Sequence, residues 1–230
     1  MGFSKQYMKR LISGTAIIAA CANTPFAVAQ ENKMEAEATA TSTYLWRGIA
    51  LSSDATLQGR LTLMDPTGIH AEFFGSNVFG GSELQIAAGY QGQADYFKYD
   101  AGVRFYYLPQ YESSNYAELY FGVKHDNVGG KLSFSPDSGT YLEAYMSLPA
   151  FNQWNVDVHV GRYTVDENDG GATIPLKDYT DASVALSSMI DTIRFEFKLS
   201  GTTLSDGEAK LGRNTDNLRT VISISKKFSP

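Results

Sequence analysis

The chain has 230 residues with 19 basic and 25 acidic side chains, a formal net charge of −6, one cysteine, 14 tyrosines and 13 phenylalanines. That acidic balance argues against nucleic acid as a partner. No run reaches the roughly 18 to 20 apolar residues of a spanning helix, which excludes a helical membrane protein. Rings make up 13% of a chain whose mean hydropathy is slightly negative, so they serve something other than a uniformly oily core.

Residues 1–29 read as an export signal: Lys5, Lys9 and Arg10, the apolar stretch Leu11 to Cys21, then Ala27-Val28-Ala29 before Gln30. Cleavage between Ala29 and Gln30 leaves a mature chain of 30–230. A competing reading is a lipoprotein signal, in which Ile18-Ala19-Ala20 precedes a lipidated Cys21. Cleavage after Ala29 takes three basic residues and no acidic one, so 16 basic face 25 acidic residues and the net charge becomes −9. The only cysteine leaves with the signal, so no disulfide is expected, although an exported chain could form one.

Beyond the signal, apolar and polar residues alternate with period 2. In Phe97 to Tyr107, Phe97, Tyr99, Ala101, Val103, Phe105 and Tyr107 share one parity, and Lys98, Asp100, Gly102, Arg104 and Tyr106 the other. Trp154, Val156, Val158 and Val160 alternate likewise with Asn155, Asp157, His159 and Gly161, and Ile193, Phe195, Phe197 and Leu199 with Arg194, Glu196, Lys198 and Ser200. The pattern predicts twelve strands, near 34–47, 56–64, 69–78, 83–92, 96–108, 115–125, 130–136, 139–148, 154–164, 179–189, 192–202 and 217–228.

Runs of about 9 to 12 residues suit a tilted membrane strand and exceed the usual 5 or 6 of a globular one. The connections also alternate in length. Asp65 to Gly68, Pro149 to Gln153 and Ile190-Asp191 are tight, whereas Asp166 to Asp178 and Thr203 to Asp216 are long, polar and rich in Gly and Asp. The expectation is therefore an all-β fold: a single antiparallel transmembrane β-barrel of about 12 strands, with tight turns inside and long loops outside.

Phase follows from the first strand. Glu37, Thr39, Thr41, Thr43, Leu45 and Arg47 share the charged parity and should face the lumen. Ala36, Ala38, Ala40, Ser42, Tyr44 and Trp46 should face lipid, which would place Tyr44 and Trp46 in an aromatic girdle with Arg47 turned inward beside them at the rim. Leu45 is out of place on the polar parity. Gly48 would bend the chain into the first outside loop. The same parity argument names the pore-lining candidates: Arg60, Glu72, Lys98, Asp100, Arg104, Glu118, Lys124, Glu143, Asp157, Arg194, Glu196 and Lys198. Such mixed charges either set a transverse field across a wet pore or pair with one another and close it.

The stretches Thr41 to Leu63, TSTYLWRGIALSSDATLQGRLTL, and His70 to Pro109 resemble the TorF-type putative porins of Gram-negative bacteria. The likeness lies in an aromatic-x-aromatic-Arg-Gly strand end, a Gln-Gly second strand, Gly-Ser-Asn before a glycine turn, and a Tyr-Asp-x-Gly strand ending in tyrosines. It covers about residues 36–125. Ala55-Thr56 stands where that family usually places a proline. The resemblance implies an outer-membrane channel, presumed to pass small polar solutes, in contact with lipid and lipopolysaccharide. Outer-membrane barrels as a class end on an aromatic read by the barrel-assembly machinery; here Phe228 is followed by Ser229-Pro230.

Catalysis finds little support. A lipid hydrolase built on the barrel would need a Ser/His pair, for which His70, His125 and His159 are the only bases, and no Gly-x-Ser-x-Gly element accompanies them. No metal or cofactor is expected: there is no His-x-His and no Glu-x-x-His. The acidic start of the 166–178 loop lacks the closing glutamate of a calcium loop. A closed barrel with a structural or surface-binding role is the alternative to a channel.

Overall fold

Alternation over 8 to 14 residues forces each segment to present one oily and one polar face, and antiparallel pairing of neighbours follows from their short connections. The computed structural model describes residues 32–111, 114–165, 177–205, 207–209 and 218–228. The export signal with Cys21, Ala29 and Gln30, the loop 166–176, most of the loop 203–216, and Ser229-Pro230 lie outside the described residues.

Fourteen strands are described: β1 (Lys33–Thr41), β2 (Leu45–Trp46), β3 (Ile49–Ala50), β4 (Thr56–Met64), β5 (Ile69–Val78), β6 (Gly81–Ala94), β7 (Phe97–Tyr107), β8 (Tyr116–His125), β9 (Val128–Ser135), β10 (Gly139–Phe151), β11 (Trp154–Val165), β12 (Tyr179–Ile190), β13 (Ile193–Thr202) and β14 (Arg219–Phe228). Twelve of them, β1 and β4 to β14, form a closed antiparallel barrel in which each pairs with its sequence neighbour and β1 closes on β14. The closing register pairs Ala36 with Phe228 and Thr41 with Ser223. Closure leaves no edge strand to satisfy.

One end carries the tight turns. Asp95, Asp126, Asn152 and Asp191 each open a two-residue hairpin with φ near +50°, a conformation that Asp and Asn tolerate better than other side-chain-bearing residues. The 65–68 turn at the same end is held by the Asp65 carboxylate, which accepts from the Thr67 amide at 2.9 Å, the Thr67 hydroxyl at 2.6 Å and the Ile69 amide at 3.1 Å. The longest connections leave the opposite end.

The barrel is turned inside out relative to a soluble protein. Every barrel strand carries exposed large apolar residues, among them Leu57, Phe73, Ile86, Phe105, Leu119, Phe121, Leu142, Val184, Phe197 and Ile222. A soluble sandwich would bury these, whereas an apolar belt around a polar interior is the arrangement lipid demands.

The predicted first strand is too long. The barrel strand stops at Thr41, where Ser42 still binds β14 through Ser42 N to the Ile222 carbonyl at 2.9 Å. Residues 43–51 then leave the wall and fold into the lumen as the β2–β3 hairpin, in which Leu45 pairs with Ala50 and Trp46 with Ile49. Its tip is Arg47-Gly48, both at positive φ (49° and 79°), which gives the twist a two-residue hairpin favours. Its base is closed by Leu51 N to the Tyr44 carbonyl at 2.9 Å and Tyr44 N to the Ser52 hydroxyl at 2.8 Å.

Candidate functional site: a constricted lumen

Tyr44 and Trp46 correct the girdle expectation. They are 8% and 5% exposed and lie inside the barrel, not on its lipid face. The parity argument fails because it extends the wall's phase past the point where the chain leaves the wall. Inside, Tyr44 meets Phe74 at 5.9 Å between ring centroids and Trp46 meets Tyr163 at 5.9 Å, so their rings are buried against other rings instead of resting at a lipid boundary. The misfit of Leu45 on a polar parity was the local signal: it belongs to a hairpin, and the wall's parity does not apply to it.

Arg47 points into the lumen. Its guanidinium crosses to β8, where Nη2 donates to Glu118 Oε2 at 2.6 Å with both side chains nearly buried. It also lies over the rings of Tyr141 (4.4 Å), Trp46 (4.7 Å) and Tyr163 (5.4 Å). Glu118 accepts a second bond from Tyr106 Oη at 2.9 Å, and the Arg47 carbonyl accepts from Tyr179 Oη at 3.0 Å. The hairpin is thus tied to β7, β8, β10, β11 and β12, on the far side of the barrel from its own root between β1 and β4. Gly48 makes the fit possible: a Cβ there would sit 2.7 Å from both Asp181 Cβ and Thr202 Cγ2. Gly161 does the same for a partner, since a Cβ would fall 2.0 Å from the Tyr141 hydroxyl.

Below the hairpin lies a cavity of about 710 Å³, bounded by residues 44–48 on one side and by charged side chains of the wall on the others. Three ion-pair networks hold those charges. Glu72 accepts from Arg60 at 2.6 Å and from Arg104 at 2.9 Å. Glu143 meets Lys131 at 3.2 Å and His159 at 3.2 Å, and the other His159 nitrogen is 3.4 Å from Asp181. Asp157 accepts from Ser147 (2.5 Å), Ser187 (2.6 Å) and Arg194 (2.9 Å), and Arg194 and Lys198 both reach Glu196.

Ten of the twelve charged positions read from the sequence therefore enter specific contacts: nine in the pairs above, and Asp100 with His70 at 3.5 Å. Lys98 and Lys124 stand apart, directly opposite one another across β7 and β8 at the tight-turn end, both exposed. Sequence reasoning passed over Lys131, Asp181 and Glu83. Lys131 and Asp181 share the lumen parity of Ser133 and Ser183, which could have found them. Glu83, buried beside Tyr44 Oη (3.2 Å) and Gln85, was hidden at a strand start. Among the described residues, His70 hydrogen-bonds Tyr120 at 3.1 Å, and His159 meets Tyr141 at 3.3 Å and Glu143 at 3.2 Å.

The interior is uneven around its circumference. On β12, β13, β14 and β1, the cavity is lined by Ser183, Ser200, Ser223, Ser225, Thr39 and Thr41, with Ala185 and Val221, interspersed with the charged Asp181, Arg194, Glu196, Lys198 and Glu37. On β7 and β8, Tyr106, Glu118 and Tyr120 are buried, as is Gln85 on β6. The small and hydroxyl-bearing side chains thus cluster on the β12–β1 side.

Residues 22–228 match the model of a bacterial family described as being of unknown function, Gcw_chp. No curated protein matches the sequence. Among solved structures, the chain is similar to the KdgM porin (TM-score 0.57, 9% identity, covering 85% of this chain and 99% of that one). It is also similar to the NanC porin (TM-score 0.53, 12% identity, covering 85% and 98%). KdgM has also been solved in complex with disordered oligogalacturonate, and that structure superimposes with a TM-score of 0.56 at 9% identity over 86% of this chain and 99% of that one. These likenesses are likenesses of fold.

Proposed function

The chain belongs to the Gcw_chp family, and from that premise we propose that it is a porin-like outer-membrane channel for passive diffusion of small polar solutes or ions. The observation that carries this reading is the cavity beside the hairpin: about 710 Å³, walled by hydroxyls and by charges most of which are paired, inside a barrel whose outer face is apolar. The resemblance to TorF-type putative porins and the fold shared with KdgM and NanC agree with it. Residues 1–29 would direct export, the β14 strand ending at Phe228 would be offered to the barrel-assembly machinery, and lipid and lipopolysaccharide would surround the apolar belt. The twelve charges named from the sequence would then line or flank the path, with Arg47 and the hairpin setting its narrowest section.

A second reading draws on the hairpin itself. Ile49, Ala50 and Leu51 are wholly buried, and a plug packed this well suits a closed barrel with a structural or surface-binding role. Single-channel recording of the purified protein in a planar bilayer decides between them, with heat-modifiable gel migration to verify the folded barrel. Stable conductance steps are expected; a folded barrel that never conducts would overturn the channel reading.

A further inference from the structure

Hydrogen-bonding capacity in the lumen is unequally used. In these networks Asp157 accepts from two serines and an arginine, Glu72 from two arginines through one oxygen, and Glu196 from Arg194 and Lys198, whereas Glu83 Oε2 has no hydrogen-bond partner among the described residues. The cations use a smaller share of their capacity, because a lysine ammonium carries three donors and a guanidinium five, of which these contacts use one or two. Exposure follows the same division. Arg194 and Lys198 are 40% and 34% exposed against 18% for their shared partner Glu196, and Arg60 is 36% exposed against 17% for Glu72. In these pairs the acid lies deeper and the base nearer the cavity, although Asp100 is more exposed than His70 and the Glu37 carboxylate of β1 also lines the space.

Two further features point the same way. The β12–β1 wall adds serine and threonine hydroxyls, neutral groups that donate to an acceptor as readily as water does. At the tight-turn mouth, Lys98 and Lys124 face one another in register, and among the described residues neither has a carboxylate within ion-pair distance. Like charges placed directly opposite repel. A barrel selected only for stability has no use for that pair, whereas a mouth that attracts anions does.

We propose that the lumen selects small anionic solutes, which enter past Lys98 and Lys124 and move along the hydroxyl wall beside Arg194 and Lys198. This rests on the channel reading and adds the charge class of what passes. The test is the reversal potential of the protein in a planar bilayer under a steep KCl gradient. Conductance with chloride more permeant than potassium is the expected result. Lys98→Gln/Lys124→Gln, which breaks no ion pair and should fold as the parent does, is expected to shift the permeability ratio toward potassium by about twofold or more. Conductance that is cation-selective or indifferent to charge sign, or a ratio unmoved in the double variant, would overturn the anion proposal and leave the channel standing. An absence of any conductance would overturn both.

Discussion

Arg47 and Glu118 are 71 positions apart in sequence, yet their side chains meet at 2.6 Å across the lumen, one from the tip of an in-folded hairpin and the other from the opposite wall. The pair is nearly dry, and removing one member of such a pair leaves the other as an uncompensated charge, a loss of about 3–5 kcal/mol. Arg47→Ala is therefore expected to lower the unfolding temperature on heat-modifiability gels and, by freeing the hairpin from the far wall, to raise single-channel conductance. Arg47→Ala/Glu118→Ala removes both charges and should recover part of the stability while keeping the raised conductance. If conductance is unchanged in both, the hairpin is not the narrowest section.

Gly48 gives a test of the hairpin that leaves every charge in place. An alanine there must hold φ near +79° and put its Cβ 2.7 Å from Asp181 and Thr202. The left-handed conformation alone costs about 1 kcal/mol, and the overlap adds to it. Gly48→Ala should destabilise the docked hairpin, read as faster proteolysis within 43–55 and a wider spread of conductance levels. Gly59→Ala is the control, since a Cβ at Gly59 meets nothing within 4 Å.

The barrel was legible in the sequence and the hairpin was not, for one physical reason. Period-2 alternation is imposed by lipid on one side and water on the other, so strands such as Phe97–Tyr107 and Ile193–Thr202 declare themselves residue by residue. In the stretch from Tyr44 to Trp46 the same alternation persists after the chain has left the wall, because a hairpin is also a pair of strands. Aromatics facing lipid and aromatics facing other aromatics look identical in one dimension. Interior pairing was hidden differently: Arg194 reaches Asp157 over the intervening β12, beside Ser187. Such contacts depend on the register of strands that are not neighbours, which parity alone does not give.

The 65–68 turn carries a pH signature. The Thr67 hydroxyl, followed by backbone amides, holds the Asp65 carboxylate below its ordinary pKa. A depressed carboxylate contributes stability that is fully present above its unfolded pKa and is lost as pH falls through the folded value. The stability gap between the parent and Asp65→Ala should thus be constant at neutral pH and close under acid, measured as the difference in denaturant midpoints across a pH series. A gap that persists once the carboxylate is protonated would mean that the turn is held by something other than this ion.

The outer face admits the sharpest test of what surrounds it. Phe121 is exposed near the middle of β8, whereas Leu57 is exposed one residue from the end of β4. In water, Phe121→Arg and Leu57→Arg would both be nearly neutral substitutions of exposed apolar residues. In a bilayer their costs separate by depth, to about 2–4 kcal/mol for an arginine at the midplane and about 0–1 kcal/mol near the interface. Refolding equilibria in lipid vesicles should therefore show Phe121→Arg strongly destabilised and Leu57→Arg close to the parent. Equal, small effects at both positions would remove lipid from the apolar belt, and with it the reason for a polar lumen.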